Sequence, residues 1–399
     1  MTISVAPNAI FLHYHASMET RRIVIDARWV LPAPTGIGRY ITSLLPPLLR
    51  LVPDWQFHIL RRHNPWPGFR LDSLSAPNLV HHVTTIPCLS VRQYSAIPDL
   101  VRKLNAALLH HPHFDAPVLW QSVPVIATLH DVKYLLHPEF FPHGSTLLRR
   151  VIMKMIFSLT LRRAAAVITV SRNTATEIKQ LFGKRTGGLT VIREAAESAF
   201  SRSTPDEIST WRRRYNISKP FILTVGERRP HKNLVSLIRA FAASSVAGTY
   251  DLVIAGKPCQ GYDLPEHTVQ QLGLKSKVHF LDSVTDAELS SAYSAAQIFA
   301  FVSLHEGFGL PLLEAMACGV PVIAASTTAA GEVAGNAALK VDPAQECAIT
   351  AAIDTLSHDE ILRNRLIAGG LIRCREFTWE RAASETVAVY RQCIERHNS

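Results

Sequence analysis

The 399-residue sequence lacks the apolar segments that would place it in or across a membrane. No apolar run approaches the roughly 20 residues that a membrane-spanning helix needs. The first 20 residues also lack the basic start, apolar middle and small-residue cleavage site of a secretory signal. We therefore expect a cytoplasmic protein, with residues 1–20 as a disordered extension or residues 1–17 as a misassigned start before Met18.

The sequence is also poor in the motifs of disulfide and metal sites. Its six cysteines form no C-x-x-C pair and no metal-ligand spacing, which predicts free thiols in a reducing compartment. The 18 histidines include the run HHPHF at 110–114, but no H-E-x-x-H or similar helical spacing accompanies it. We expect no bound metal and no cofactor.

Charge is sparse and mostly positive. Charged residues make up 19% of the chain and hydrophobic residues 47%, which is typical of a well-packed globular protein. The formal net charge of +10 favours anionic partners such as nucleotides, phospholipid surfaces or nucleic acid, although a solvated basic surface gives the same number. No nucleic-acid module is present, so we expect no nucleic-acid partner. No G-x-G-x-x-G follows a predicted strand, which argues against a dinucleotide dehydrogenase.

Short apolar runs alternate with amphipathic stretches along both halves of the chain. We predict strands at 23–27, 57–60, 80–86, 124–131 and 166–171, and again at 221–226, 250–256, 278–282, 297–303 and 321–326. Strands that alternate with helices predict βαβ units. The sequence therefore predicts an α/β protein with two Rossmann-like domains, whose parallel sheets face a central cleft suited to a ligand.

The polar, irregular stretch at 198–217 interrupts this alternation and is typical of an interdomain connection with a short helix. We place the first domain at 21–199, the linker at 200–217, the second domain at 218–376 and a C-terminal helix at 377–399.

The stretch HEGFGLPLLEAMACGVPVIA (305–324) joins a loop to a helix and a strand. Leu310-Pro311 is predicted to open the helix, with proline in its favoured first turn, and Gly319 to end it. Gly307 and Gly309 would let backbone N–H groups approach a ligand in front of an electropositive helix N-terminus.

Two glutamates lie in this otherwise apolar stretch. We expect Glu306 on the loop facing the cleft, and Glu314 in the first helical turn, where the helix dipole favours its charge. A loop ion pair would explain Glu306 alone, and a helix N-terminal acid would explain Glu314 alone. Neither explains both glutamates together with the two flanking glycines.

The spacing of Glu306 and Glu314, with the loop glycines, Pro311 and the Gly-x-Pro-Val strand entry, resembles the signature of the retaining glycosyltransferases of family 4, which have the GT-B fold. The resemblance implies that the first glutamate contacts the donor sugar near the reaction centre and that the second holds the ribose of the nucleotide. It implies that the segment between them lies against the donor sugar and diphosphate, namely Gly307, Phe308, Gly309 and Leu310. The resemblance covers nearly the whole chain from about residue 21.

The loop VGERRPHKNL (225–234) offers cations suited to a diphosphate leaving group. It is similar to the family's loop of glycine followed by lysine, which implies that Lys232 binds the diphosphate. Many relatives carry arginine directly after the glycine, but here Glu227 occupies that position. The choice between Arg228 and Arg229 as the second cation therefore stays open.

Further positions resemble donor-binding residues of the family. Gly36 and Gly38, in the loop expected at 32–38, resemble the glycine loop that lies beside the donor phosphate and the acceptor. His130 matches the histidine that reaches the donor sugar from the first domain. Val284 is implied as a contact of the nucleotide base, and the helix at 377–399 as one that crosses back to the first domain.

The resemblance implies a retaining hexosyltransferase of polysaccharide biosynthesis, with an N-terminal acceptor-binding domain and a C-terminal nucleotide-sugar-binding domain. Mannose from GDP-mannose is the preferred donor, with a UDP-hexose as the other choice, and a saccharide or lipid-linked saccharide is the acceptor. No D-x-D stretch occurs, which agrees with chemistry that needs no metal. Two alternatives remain open: a sugar-nucleotide epimerase on the same plan, and a non-catalytic nucleotide-sugar-binding protein.

The predicted helix at 146–164 carries five basic residues among leucine, isoleucine, methionine and phenylalanine. It is either an amphipathic core helix with a solvated basic edge, or a surface that lies against an anionic membrane. The second interpretation would place the protein peripherally on the inner face of the plasma membrane.

Overall fold

The structure is a computed structural model that describes residues 21–31, 35–62, 71, 73–119, 122–141, 146–183 and 188–399. The extension expected at 1–20 lies outside these residues. Two parallel β-sheets, each flanked by helices, form the described chain.

Seven strands form the first sheet and six form the second. The first sheet contains β1 (Arg22–Asp26), β2 (Gln56–Arg62), β3 (Leu79–Thr84), β4 (Leu108–His111), β5 (Val125–Leu129), β6 (Ala166–Thr169) and β7 (Leu189–Val191). The second contains β8 (Phe221–Val225), β9 (Asp251–Ala255), β10 (Val278–Leu281), β11 (Ile298–Phe301), β12 (Val322–Ala325) and β13 (Leu339–Val341).

The helices of the described chain connect these strands, link the two halves, or follow the last strand. They are α1 (Gly36–Leu51), α2 (Gln93–Lys103), α3 (Lys133–Leu136), α4 (Leu147–Arg163), α5 (Arg172–Phe182), α6 (Pro205–Arg214), α7 (Leu234–Ala243), α8 (Leu264–Gln271), α9 (Asp286–Ala295), α10 (Leu310–Ala317), α11 (Ala329–Ala334), α12 (Glu346–His358), α13 (Glu360–Cys374) and α14 (Trp379–Asn398).

The order of the strands fixes where a ligand can bind. The first sheet runs β3-β2-β1-β4-β5-β6-β7 and the second β10-β9-β8-β11-β12-β13, and all neighbouring strands are parallel. Chain order therefore reverses beside β1 in one sheet and beside β8 in the other. Open α/β sheets bind ligands outside the carboxyl ends of the strands at such a reversal. The segment after β1 contains Gly36 and Gly38, and the loop after β8 lies within the stretch VGERRPHKNL (225–234).

The predicted fold class is confirmed, and every strand predicted from the sequence is present. Sequence analysis does not predict β4, β7 or β13. Strand β4 has only two apolar residues before its histidines, and β7 and β13 have only three residues each. All three are strands because neighbouring strands supply hydrogen-bond partners, which local sequence does not reveal.

One of the apolar clusters of the core spans both halves. A continuous cluster of buried side chains includes Ile23 of the first sheet, Phe221 of the second and Tyr390 of α14. Helix α14 packs against α1, and its Tyr390 hydroxyl lies 2.6 Å from Nδ1 of His110 at the end of β4. Helix α6 lies within the stretch expected to be the linker.

Within the described ranges, no helix combines the length and the apolar character that crossing a bilayer requires.

Candidate active site

A cavity of about 570 Å³ lies where the carboxyl ends of the two sheets meet. The loops after β1, β5 and β7 line it from the first sheet, and the loops after β8 and β11 line it from the second. All the predicted site residues line this cavity except Arg228, Gly38 and Val284. The structure therefore brings together residues that lie up to about 280 positions apart in the chain.

Helix α10 begins and ends where the sequence predicts. It starts at Leu310 with Pro311 in the first turn, and Gly319 follows its last residues with φ of 72°. Gly309 immediately precedes the helix with φ of 108°, a conformation that L side chains rarely adopt. This glycine therefore sets the angle at which the loop delivers the N-terminus of α10 to the cavity.

Gly307 is required by a close approach between the two halves. A Cβ atom at this position would lie 1.9 Å from the backbone oxygen of His130. The hydroxyl of Thr174 lies 3.3 Å from that oxygen and 3.2 Å from the backbone oxygen of Gly307. Any side chain at position 307 would therefore push the first domain away from the loop that carries Glu306.

Glu306 and Lys232 form an ion pair inside the cavity. The Nζ atom of Lys232 lies 2.6 Å from Oε1 of Glu306, and the two side chains are only 16% and 13% exposed. Lys232 reaches this position from the short 3₁₀ turn after β8, and its Nζ lies 5.2 Å from the centroid of the Phe301 ring. A phosphate group entering the cavity would find a positioned ammonium group, and a sugar would find a positioned carboxylate.

Lys133, which sequence analysis does not single out, adds a second ammonium group to the cavity. Its Nζ lies 3.2 Å from Oδ2 of Asp131. Burial alone would lower the pKa of Lys133, but Asp131 and Glu306 raise it above its usual value, so the lysine is charged. Burial and the cations Lys133, Lys232 and Arg229 together depress the pKa of His231 strongly, as expected where positive charges converge.

The structure separates the two arginines that follow Glu227. Arg228 is 3% exposed and lies outside the cavity lining, because its guanidinium pairs with Asp282 at 2.6 Å and with Glu266 at 3.2 Å. These contacts hold the loop after β8 to the loop after β10, so the catalytic role of Arg228 stays a prediction that its position in this structure does not favour. Arg229 lines the cavity and pairs with Glu227 at 2.9 Å.

Glu314 also lines the cavity. It is the fifth residue of α10, so the prediction that it lies in the first helical turn is wrong. The dipole of α10 therefore stabilises its negative charge only weakly. Instead, the Tyr293 hydroxyl donates a 2.9 Å hydrogen bond to it, and a guanidinium nitrogen of Arg39 lies 3.4 Å away. Burial and the Glu314 carboxylate raise the pKa of Tyr293 well above its usual value, so this phenol stays a donor.

Arg39 belongs to α1 of the first domain and forms ion pairs with three acidic side chains outside that helix. Besides Glu314 it pairs with Asp286 at the start of α9 and with Glu197 at 3.5 Å. It lines the cavity as well. Sequence analysis does not single it out, because its acidic partners lie 158 or more residues away in the chain.

His130 follows β5 and lines the cavity from the first sheet. Its Nδ1 atom is 3.1 Å from Oε1 of Glu194, which follows β7 and is 4% exposed. The ring of Tyr40 meets the imidazole edge-on, with ring centroids 4.9 Å apart. Glu194 is a further site residue that sequence analysis misses, since a lone glutamate after a three-residue strand carries no recognisable pattern.

The remaining predicted positions differ in how far they reach the cavity. Gly36 and Gly38 belong to the first turn of α1 and not to a loop ending at 38, because Thr35 caps the helix and accepts a hydrogen bond from the Gly38 N–H. Gly36 lines the cavity, whereas Gly38 is buried beneath it. Val284 packs against the main core and does not line the cavity.

Two family models match most of the chain. Residues 36–195 match Glycosyltransferase Family 4, and residues 207–371 match Glycosyl transferases group 1. The boundary between the two matches coincides with the connection that contains α6.

Relatives and solved structures agree with these matches. O-antigen chain mannosyltransferase B of Escherichia coli is 29% identical over 294 residues, which cover 73% of this chain and 76% of that protein. The serotype-specific mannosyltransferase WbdA of Escherichia coli is 27% identical over 72% of this chain, but the match spans only 36% of WbdA. Sucrose-phosphate synthase from Thermosynechococcus elongatus has the same fold, with a TM-score of 0.77, 21% identity, and coverage of 93% of this chain and 98% of that one.

Proposed function

Because the chain belongs to the family 4 and group 1 glycosyltransferases, with the GT-B fold, we propose that it transfers mannose from GDP-mannose with retention of configuration. The acceptor is a saccharide or a lipid-linked saccharide in polysaccharide biosynthesis. One observation carries the proposal: a single cavity between the two domains joins the Glu306–Lys232 ion pair to Glu314 and to the N-terminus of α10.

Sugar transfer requires that groups in the cavity stabilise the departing diphosphate. In the transfer, the bond between the anomeric carbon and the diphosphate oxygen breaks, and the acceptor oxygen forms the new bond on the same face. The acceptor proton passes to a phosphate oxygen of the departing nucleoside diphosphate. Lys232, Lys133 and Arg229 lie where they can neutralise the charge that grows on that group.

Glu306 supports the sugar in this proposal and does not attack it. Its carboxylate is held by Lys232 through Oε1, which lowers its nucleophilicity and leaves Oε2 to accept from a hydroxyl group. Glu314, backed by Tyr293, supplies acceptor oxygen atoms for the two hydroxyl groups of the ribose. The acids therefore bind the two sugar rings, and the cations bind the phosphates between them.

The cations of the cavity can do this without a divalent ion, and we propose that no metal takes part. EDTA added to the transfer assay should leave the rate unchanged within about twofold, with a metal-dependent glycosyltransferase assayed in parallel as a control. Loss of the rate in EDTA and its recovery with Mg²⁺ or Mn²⁺ would contradict this part of the proposal.

The choice of donor is tested by comparing GDP-mannose with UDP-glucose. We expect GDP-mannose to raise the thermal unfolding midpoint and UDP-glucose to raise it less, because at equal concentration the ligand with the lower Kd stabilises the folded state more. With an oligosaccharide acceptor, GDP-mannose should release GDP. If only UDP-glucose releases its nucleotide, as UDP, the donor is a UDP-hexose and not GDP-mannose. If the sugar nucleotide is isomerised and no nucleoside diphosphate is released, the protein is an epimerase.

We further propose that α4 lies on an anionic membrane. Several of its large apolar side chains are exposed, including Leu148 at 70% and Met155 at 65%. An apolar groove of about 840 Å³, edged by Lys154 and Arg162, runs beside the helix. The burial along the helix supports this proposal over an amphipathic core helix, because Phe157, Thr160 and Leu161 are its only buried residues within the described part of the chain. Exposed apolar groups and neighbouring cations together favour a phospholipid surface.

Replacing both Leu148 and Met155 with aspartate should weaken co-sedimentation with vesicles rich in phosphatidylglycerol by about 10-fold or more. Each change removes apolar area that the membrane would bury, and adds a negative charge that the anionic lipids repel. Ile361→Asp provides the matched control, because Ile361 is 84% exposed on α13 and lies outside this surface. Equal binding of all three proteins, or no binding of the unaltered protein, would remove the membrane from the proposal.

A further inference from the structure

His130 presents a buried ring nitrogen for which the described residues offer no partner. Its Nε2 atom has no hydrogen-bond partner, although the residue lines the cavity and the side chain is only 16% exposed. A buried polar atom left unsatisfied is uncommon and indicates a role in binding. The ligand that enters this cavity is the natural partner for that nitrogen.

The other ring nitrogen of His130 is already engaged. Nδ1 lies 3.1 Å from Oε1 of Glu194, whose side chain is 5% exposed. An ionised carboxylate can only accept hydrogen bonds, so Nδ1 must carry the proton. Which nitrogen carries the proton is thus set by the carboxylate, and Nε2 is left as the atom available to a ligand.

The orientation of the imidazole is fixed from a second side. The Tyr40 ring packs edge-on against it, and the Tyr40 hydroxyl lies 3.2 Å from Oγ1 of Thr128. Thr128 in turn lies 2.8 Å from Nε2 of His110, which is anchored by Tyr390 of α14. Tyr40 therefore restrains the plane of the ring, and Glu194 restrains its rotation within that plane.

We propose that Glu194 is the positioning residue of this site: it holds His130 with the proton on Nδ1 and so presents Nε2 to a hydroxyl group of the transferred sugar. Glu194 itself acts through the imidazole and does not touch the substrate. This inference rests on the proposed function for the identity of the ligand, but the Glu194–His130 arrangement exists without any ligand.

Kinetics measure what the arrangement contributes to transfer. Glu194→Ala should lower kcat/KM by about 10- to 100-fold, by analogy with the loss found when the hydrogen-bond partner of a metal-ligating histidine is removed. Glu194→Gln should recover part of the loss, because its amide oxygen can still accept from Nδ1. In a His130→Ala background the Glu194→Ala change should cost less than threefold, since residues that act as a unit are not additive.

A matched control is available in the same domain. Glu139 also accepts from a histidine Nδ1 atom, that of His137 at 2.9 Å, but its side chain is 61% exposed and lies outside the cavity lining. Glu139→Ala should therefore leave kcat/KM within about twofold of the unaltered enzyme, which is typical of an exposed pair.

Nuclear magnetic resonance of ¹⁵N-histidine-labelled protein tests the inference independently of activity. The ring signals of His130, assigned by their absence in His130→Gln, should show a protonated Nδ1 in the unaltered protein and a changed tautomer mixture in Glu194→Ala. An altered tautomer in protein that transfers no sugar would leave the inference standing and reject the proposed function. An unchanged tautomer, or fully additive losses in the double variant, would overturn the inference itself.

Discussion

Replacing Lys232 with alanine is expected to lower kcat/KM for the nucleotide-sugar donor by about 100- to 1,000-fold, the range seen when one group that stabilises developing charge is removed. The ammonium group lies 2.6 Å from Glu306 and is one of several cations that line the cavity. Without it, the departing diphosphate loses a positioned positive charge, and Glu306 loses the partner that holds it beside the sugar. Both losses raise the barrier to transfer.

Release of nucleoside diphosphate at saturating acceptor measures this effect. Lys275→Ala is the matched control, because Lys275 is exposed and outside the cavity lining, and its removal should change kcat/KM by less than twofold. Glu306→Gln should lower turnover as well, and the double variant should lose less than the product of the single losses. Unchanged turnover in Glu306→Gln would contradict the role proposed for this carboxylate.

Replacing Arg28 with methionine is expected to lower the free energy of unfolding by about 3–5 kcal/mol, the usual cost of leaving one charge of a buried pair without its partner. Arg28 and Asp26 are both 0% exposed, with a guanidinium nitrogen 2.7 Å from a carboxylate oxygen. Asp26 also accepts from Nδ1 of His111 at 2.9 Å, and the other nitrogen of that ring lies 3.0 Å from Asp115. The positive charges of Arg28 and His111 thus neutralise the negative charges of Asp26 and Asp115 in the interior of the first domain.

Urea denaturation provides the measurement, with Arg102→Met as the matched control. Arg102 pairs with Asp99 on the surface, where its side chain is 66% exposed, so its removal should cost no more than about 1 kcal/mol. Similar midpoints for the two variants would show that the buried cluster contributes little to stability.

The same cluster predicts how stability depends on pH. Burial would lower the pKa of His111, but Asp115 and Asp26 raise it to about 9, above the unfolded value of about 6.5. A histidine with a raised folded pKa stabilises the protein fully below its unfolded pKa, and this contribution is lost as pH rises towards 9. We therefore expect denaturation midpoints to fall between pH 6.5 and 9, and to fall less in His111→Gln.

His111, His113 and Asp115 also have ligand atoms within 4.8 Å of one another, a spacing that a metal ion could use. We interpret them as part of the ion-pair cluster, because both nitrogens of His111 face carboxylates and Arg28 already supplies a second positive charge. That no metal binds here stays a prediction, made because no helical ligand spacing accompanies the run HHPHF.

Sequence alone determined the features that local physics controls. Alternating apolar runs specify parallel α/β domains, and glycine and proline specify the ends of α10, because φ preferences and helix termini depend on the nearest few residues. Glu306 and Lys232 could be identified for the same reason: each belongs to a short motif on a loop that follows a strand. The structure brings them together as an ion pair.

Only the tertiary structure decided which charged groups meet. His130 and Glu194 lie 64 residues apart, and Arg39 and Glu314 lie 275 apart, so their pairing follows from strand order and from the contact between domains. The burial of Arg228 against Asp282, the Tyr293 hydrogen bond to Glu314 and the exposed apolar face of α4 also required three-dimensional packing. The sequence specifies the charge of each side chain, but the fold determines which partner that side chain meets. Electrostatic and hydrogen-bond energies depend on the distance between two groups in space and not on their separation along the chain.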